Sequence, residues 1–118
     1  MVREDHIYEE ILILLPEVGV HLDVAKVIVS LLQHPAASVK SLAKSTELSD
    51  SRVREILADF QGLSWVSVTQ EDGKKGGPAI NIYTLIVPFN TIVSSIEKEV
   101  LRQQAEYDAA IEYLRTHS

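Results

Sequence analysis

The residues of this sequence best suited to chemistry are two arginines and the short hydroxyls around them. Arg52 and Arg54 lie two apart, just after Ser49-Asp50-Ser51. A guanidinium is a planar fork of N–H donors. Each can therefore make two parallel hydrogen bonds, to a phosphate or to the O6 and N7 edge of guanine. Ser49 and Ser51 stand where a helix would begin, and with the unpaired N–H groups of such a start they can hold a phosphate oxygen. Lys40 and Lys44 are four apart behind Ser38, a spacing that puts both on one helix face, positioned to meet a nucleic-acid backbone. Lys74 and Lys75 sit in the glycine-rich segment Glu71-Asp72-Gly73-Lys74-Lys75-Gly76-Gly77-Pro78, which suits a turn tip lying on flanking backbone or in a minor groove. The plainer reading of both arginines is a solvated helix charge. Arg54 can pair with Asp50 or Asp59, and Asp50 and Glu55 on the same face would repel phosphate.

Other chemistry finds little support. There is no cysteine, which removes disulfides, thiolate zinc sites and cysteine nucleophiles together. The four histidines (His6, His21, His34, His117) lack ligand spacing, so no metal site is expected. Gly73-Lys74 is not a phosphate loop, because that pattern needs glycine at 68 and Ser or Thr at 75, where Val68 and Lys75 stand. The carboxylate pairs Glu9-Glu10 and Glu97/Glu99 have no nucleophile or base arranged around them. The expectation is a protein that is not an enzyme and takes no cofactor. The N-terminus MVREDHIYEE is acidic and has no long apolar run, so it is no signal peptide. No run approaches the roughly 20 apolar residues of a membrane span. A cytoplasmic protein is the expectation.

The elements that would position these side chains are legible in the apolar spacing. A first helix is predicted over Glu4–Leu15, with Ile7, Ile11 and Leu14 as its stripe and Tyr8, Leu12 and Leu15 widening it, ended by Pro16. A second runs from about Leu22 to Gln33, with Val24, Ala25, Ile28, Leu31 and Leu32 inward and His34-Pro35 stopping it. Ser38 caps a short third helix with Val39, Leu42 and Ala43 inward. Thr46-Glu47-Leu48 makes a turn. Ser49 caps a fourth helix, Asp50 to about Gln61, whose Val53, Ile56, Leu57 and Phe60 follow the i, i+3, i+4, i+7 pattern. Gly62 is its expected C-terminal cap. Trp65–Gln70 alternates as a half-buried strand, and Ala79–Val87 returns beside it, with Ile80 and Ile82 expected on the core side and Asn81 and Tyr83 on the other. Trp65 reads as a core or strand-edge residue.

Pro88 suits the first turn of a last helix. From there Phe89, Val93, Ile96, Val100, Tyr107, Ala110 and Leu114 recur every three to four residues, broken by Gln103. A helix of roughly 28 residues extends about 40 Å at 1.5 Å per residue, too long to pack wholly on so small a domain. A partner helix is its expected cover, with Phe89, Val93, Ile96, Val100, Tyr107 and Leu114 at a homodimer interface. The alternative is an apolar face packed on its own domain.

Three helices, a strand pair with a charged tip and a long last helix make one mainly α chain with a small β-hairpin. It is read as a single domain over 1–118: an N-terminal helix and connector (1–20), a winged helix-turn-helix (21–87) and a dimerisation helix (88–118). The chain resembles archaeal TrmB-like and MarR-like winged-helix regulators over about residues 22–100. The resemblance rests on Leu42-Ala43, Leu48-Ser49, Val53, Leu57 and Phe60 at helix-turn-helix spacing. It also rests on Gly77-Pro78-Ala79-Ile80-Asn81-Ile82-Tyr83-Thr84-Leu85, which looks like a wing-closing strand. It implies that the fourth helix enters the major groove of duplex DNA and that two heads read a near-palindromic site, most simply as a repressor. TrmB-like proteins often carry a C-terminal sugar-binding domain; none is expected within this length, and an effector is left unassigned. Two departures stand out: Glu47 occupies a turn position where glycine is common, and Ser64-Trp65-Val66 replaces the usual Gly-Leu-Val.

Charge bounds this reading. The chain carries a net charge of −6. From Val24 to Ile86 there are seven bases and six acids, so the head is nearly neutral and the excess acid lies in the flanks. Phosphate attraction per head is then modest. The alternative function is a winged-helix module of the transcription machinery that binds protein without reading DNA.

Overall fold

The computed structural model describes residues 4–118, apart from the side chains of Glu4, Asp5 and Lys74. Its elements run α1 (Glu4–Glu17), α2 (Leu22–Gln33), β1 (Ala36–Ala37), α3 (Val39–Thr46), α4 (Asp50–Gly62), β2 (Val66–Glu71), β3 (Ile80–Leu85) and α5 (Phe89–Thr116). Cα packing divides the chain at Val87/Pro88 into two compact units.

In the first unit both predicted serine caps are in place. Ser38 Oγ accepts from the Ser41 N–H and Ser41 Oγ accepts from the Ser38 N–H, each at 3.1 Å, a reciprocal box that starts α3. Ser49 Oγ accepts from the Arg52 N–H at 3.1 Å and starts α4. Each cap satisfies a backbone donor that the helix cannot, worth about 1 kcal/mol. As expected, Val53, Ile56, Leu57 and Phe60 of α4 are buried, with Leu42 of α3 and Ala25, Ile28 and Leu31 of α2; Val27 and Val29 are buried as well, whereas Val24, Leu32, Val39 and Ala43, expected inward, are only half-buried. Removing a side chain such as Ile56 costs about 2–5 kcal/mol, the transfer loss plus the cavity.

The end of α4 differs from expectation. Gly62 is its last helical residue; Leu63 is the cap, and Ser64 takes the left-handed φ of 61°. The Trp65 N–H donates to the Phe60 carbonyl at 2.9 Å and the Ser64 N–H to that of Gln61 at 3.0 Å. This double bond pattern closes a helix with an apolar clasp. The clasp is Trp65 on Phe60, ring centroids 5.1 Å apart, and it makes Trp65 a buried core residue.

Three further expectations are corrected. Helix α1 continues through Pro16 to Glu17, closed by the Val18 N–H on the Leu14 carbonyl. Its buried residue is Leu15; Ile7 and Leu14 are exposed, while Tyr8, Ile11 and Leu12 are half-buried. A helix apolar on most sides offers two stripes, and packing chose the one through Tyr8, Ile11 and Leu15. The sheet has three strands in the order β1-β3-β2, all antiparallel, because Ala36-Ala37 pairs with Thr84 and Tyr83. The β2–β3 register sets Val66 opposite Leu85 and Val68 opposite Tyr83, and Thr69 opposite Ile82 and Glu71 opposite Ile80. Facing residues share a side, so Tyr83 and Asn81 lie with the buried Val66, and Ile80 and Ile82 lie on the other face. A one-residue difference in the length of the tip is enough to invert every side chain of β3.

The second unit is α5, 28 residues long, opened by Pro88. Every residue from Glu97 to Ser118 is exposed. Arg102 is held by Glu99 three residues before it and Glu106 four residues after it.

Candidate nucleic-acid interface

The candidate interface is built from the first turns of α3 and α4 and from the β2–β3 tip. Glu47 joins the two helices. It is the C-cap of α3, with φ 60° and ψ 29°, the left-handed conformation for which glycine is the usual residue. The chain accepts this conformation at a cost of roughly 1–2 kcal/mol because both helices it joins are anchored in the core. Thr46, expected in the turn, is the buried last residue of α3, and its hydroxyl donates to the Leu42 carbonyl at 2.6 Å.

The two arginines diverge. Arg52 points back toward α2: its Nε donates to Asp23 Oδ2 at 3.2 Å and its Nη1 to Glu55 Oε2 at 3.0 Å. Those two hydrogen bonds, Glu55 foremost and Asp23 next, hold its pKa above the ordinary arginine value. Two of its five N–H donors are thereby occupied by carboxylates, whose charge also offsets its own. Arg54 is exposed and, among the described residues, has no carboxylate within 4 Å. The pairing of Arg54 with Asp50 or Asp59 that the sequence allowed is not formed. Asp50 pairs instead with Lys40, Nζ to Oδ2 3.7 Å, with both side chains well exposed.

Arg54 opens onto a cleft of about 660 Å³. Ser38, Val39 and Lys40 of the α3 start line one side; Gly73, Gly77–Asn81 and Tyr83 of the tip and β3 line the other. The tip is shaped by backbone. Gly73 lies so close to the returning strand that a Cβ there would fall 2.3 Å from the Pro78 carbonyl oxygen and 2.6 Å from that of Gly77. Lys75 turns the chain in a left-handed conformation, φ 56°, and is exposed. The Lys74 side chain lies outside the described residues.

The structure thus brings Ser38, Lys40, Arg54 and the tip around one cleft, with Ser49 and Ser51 on the exposed first turn of α4. Ser38 and Ser49 spend their hydroxyl acceptors on their own helices. Ser51 and Lys44 are exposed and make no side-chain hydrogen bond or ion pair among the described residues. The Asp23–Arg52 link was not foreseen. Asp23 is 29 residues from Arg52, and nothing local in the sequence marks the pair.

The positions expected at a dimer seam are unequally exposed: Val93, Val100, Tyr107 and Leu114 are exposed, Phe89 and Ile96 half-exposed. Leu101 and Ile111 are exposed apolar residues of α5 that the predicted seam left out. Among the described residues no helix is long and apolar enough to cross a membrane.

The sequence matches no family model and no curated protein. The fold has solved counterparts. A possible transcriptional regulator from Methanosarcina mazei superposes with a TM-score of 0.57 at 18% identity, over 87% of this chain and 83% of that one. TrmBL2, an archaeal chromatin protein described with a novel mode of DNA binding, gives 0.61 at 20% identity, over 92% of this chain and 39% of that one. A MarR-family transcription regulator gives 0.53 at 14% identity, over 96% and 75%. The chain has the winged-helix fold that these regulators share, with five helices and a three-stranded antiparallel sheet.

Proposed function

We propose that this protein is a cytoplasmic transcriptional regulator that binds duplex DNA as a homodimer and represses by occupying its site. One observation carries the reading. Arg54, free of ion pairs among the described residues, faces the cleft between the helix-turn-helix and the wing. In that position α4 enters the major groove, and Arg54 donates to a guanine edge. Lys40 and Lys44 meet one stretch of backbone. Lys75, together with Lys74, meets the flanking stretch. Arg52 supports α4 from behind. The regulators that share the fold favour this reading over an enzyme, and TrmBL2 shows that the fold also serves chromatin.

The test is selection of bound fragments from genomic DNA, followed by titration of the selected duplex at several salt concentrations. A selected motif with two related half-sites, bound more weakly as salt rises, is the expected result. No binding to selected or random duplex at 50 mM salt overturns it. A protein-binding module is the second reading, favoured by the net charge of −6 and by the capture of Arg52 and Lys40 by carboxylates. It predicts that no duplex is retained.

A further inference from the structure

Between Val93 and Leu114, helix α5 carries an apolar stripe whose spacing is the same from either end; Phe89, one turn earlier on the same line, is half-buried and has no apolar counterpart at the other end. The members of the stripe are Val93, Ile96, Val100, Tyr107, Ile111 and Leu114, separated by 3, 4, 7, 4 and 3 residues. The midpoint falls between Gln103 and Gln104. At about 100° per residue all six lie within roughly 30° of one line along the helix. All but the half-exposed Ile96 are exposed, Tyr107 and Leu114 by 63% and 67%.

We propose that this stripe is covered by the α5 of a second copy running antiparallel, about a twofold axis between Gln103 and Gln104. The inference rests on the homodimer reading and fixes its orientation. An antiparallel pair sets Val93 level with Leu114 of the partner subunit, Ile96 with the partner's Ile111, and Val100 with the partner's Tyr107. From Val93 to Leu114 every apolar layer meets an apolar layer, and each large side chain meets a smaller or equal one. A parallel pair needs the 3-4 alternation to keep one order along the helix. Here the order inverts past the glutamines. Ala110 holds the place where a parallel seam wants its next large residue, and Ile111 falls outside it. A parallel pair would also stack Tyr107 on itself beside that alanine gap. Charge does not choose between the two: Glu97, Glu99, Glu106 and Asp108 border the stripe in either case. The glutamines do contribute, since side-chain amides have donors and acceptors for each other. A polar layer at the axis penalises any shifted register, as a buried Asn does in a coiled coil. Gln104 is already oriented by donating to Asp108 at 3.0 Å.

The orientation determines how far apart the two heads are tethered. The Phe89 ends lie 29 residues apart along the pair, about 43 Å at 1.5 Å per residue. A parallel pair would bring them to about 10 Å, the separation of packed helix axes.

The chain has no cysteine, so Thr116→Cys gives a single labelling point beyond the stripe on an exposed turn. With a spin label there on the full chain, the antiparallel pair predicts a separation of about 38 Å between labels. Light scattering on the same sample must give a dimer. A dimer mass with a distance under about 20 Å overturns the antiparallel pairing and leaves the homodimer reading standing, since parallel axes sit within about 10 Å. A dimer with any other distance also overturns it. A monomer mass at tens of micromolar overturns both. Ile111→Glu supplies a second reading: it abolishes the antiparallel dimer, whereas an undiminished dimer mass places Ile111 outside the interface and refutes the pairing.

Discussion

Arg52 and Arg54 lie two residues apart on one helix, yet replacing each with alanine should have opposite consequences. Arg54 is exposed beside the wing cleft, so under the proposed function its loss removes a DNA contact and little from the fold. A bidentate arginine–guanine contact is worth about 1–3 kcal/mol per head, so Arg54→Ala should weaken binding to the selected site roughly 5- to 150-fold per head. Binding to random duplex should fall much less, because base edges contribute little there. Arg52 joins Asp23 and Glu55, with side chains 33%, 27% and 68% exposed. Solvent screens pairs this open, and they contribute little to stability. Arg52→Ala should therefore lower Tm only slightly. Its effect on affinity should be small. The assay is fluorescence anisotropy on selected and random duplexes, beside a thermal melt of each variant. If Arg52→Ala, still folded, loses tenfold or more in site affinity while Arg54→Ala loses none, the assignment of roles is wrong.

Three further outcomes follow from single residues. Glu47→Gly relieves a left-handed residue but gives the unfolded chain more freedom, so the net gain should be at most about 1 kcal/mol; a lowered Tm, the result of the added freedom alone, means the turn is not strained. Gly73→Ala places a Cβ against the Pro78 and Gly77 carbonyl oxygens, so the tip must open. Duplex affinity should drop with little change in Tm, and equal affinity would remove the wing from the interface. Hydrogen bonding from Arg102 holds the Glu99 carboxyl below its ordinary value of 4.5. A lowered folded-state pKa stabilises at pH above 4.5 and loses that contribution as pH falls through the lowered value. An NMR titration should place the Glu99 midpoint under 4.5 and return it there in Arg102→Ala; a midpoint at 4.5 in both means that the clasp is not populated.

What was legible in the sequence was whatever local spacing decides. Val53, Ile56, Leu57 and Phe60 repeat with the helix period, and only one face of α4 is apolar, so its burial followed directly. The serine caps were equally local. Where two faces were apolar, periodicity could not choose, and α1 buried Leu15 rather than Leu14. The side assignment of β3 failed for a related reason: alternation is visible in INIYTL, but its phase depends on how many residues the tip consumes. The strand at Ala36-Ala37 has no pattern of its own and exists because Thr84 and Tyr83 offer an open edge. Among the candidate site residues, the geometry of α4 was foreseen but the fate of its arginines was not. Which carboxylate captures which arginine is a tertiary matter, and the Asp23 that captures Arg52 arrives from α2.

The charge balance makes the salt dependence of binding a count of heads. Lys40, Lys44, Lys74 and Lys75 are the backbone contacts that the proposed reading gives one head, with Arg54 on a base edge. If all four neutralise phosphate, log K falls with log salt at a slope of about −3.6, since each contact contributes about −0.9. Raising salt from 50 to 200 mM then costs roughly 150-fold. Two tethered heads double the slope to about −7 and the loss to roughly four decades. Lys40 is partly spent on Asp50 at 3.7 Å, so the slope per head lies between that for three contacts and that for four. A slope near −3 on the selected two-half-site duplex would mean that one head engages at a time, and the long α5 would then need another purpose. A slope near −6 or steeper requires both heads on one duplex, which so neutral a head achieves only when a second copy is held beside it.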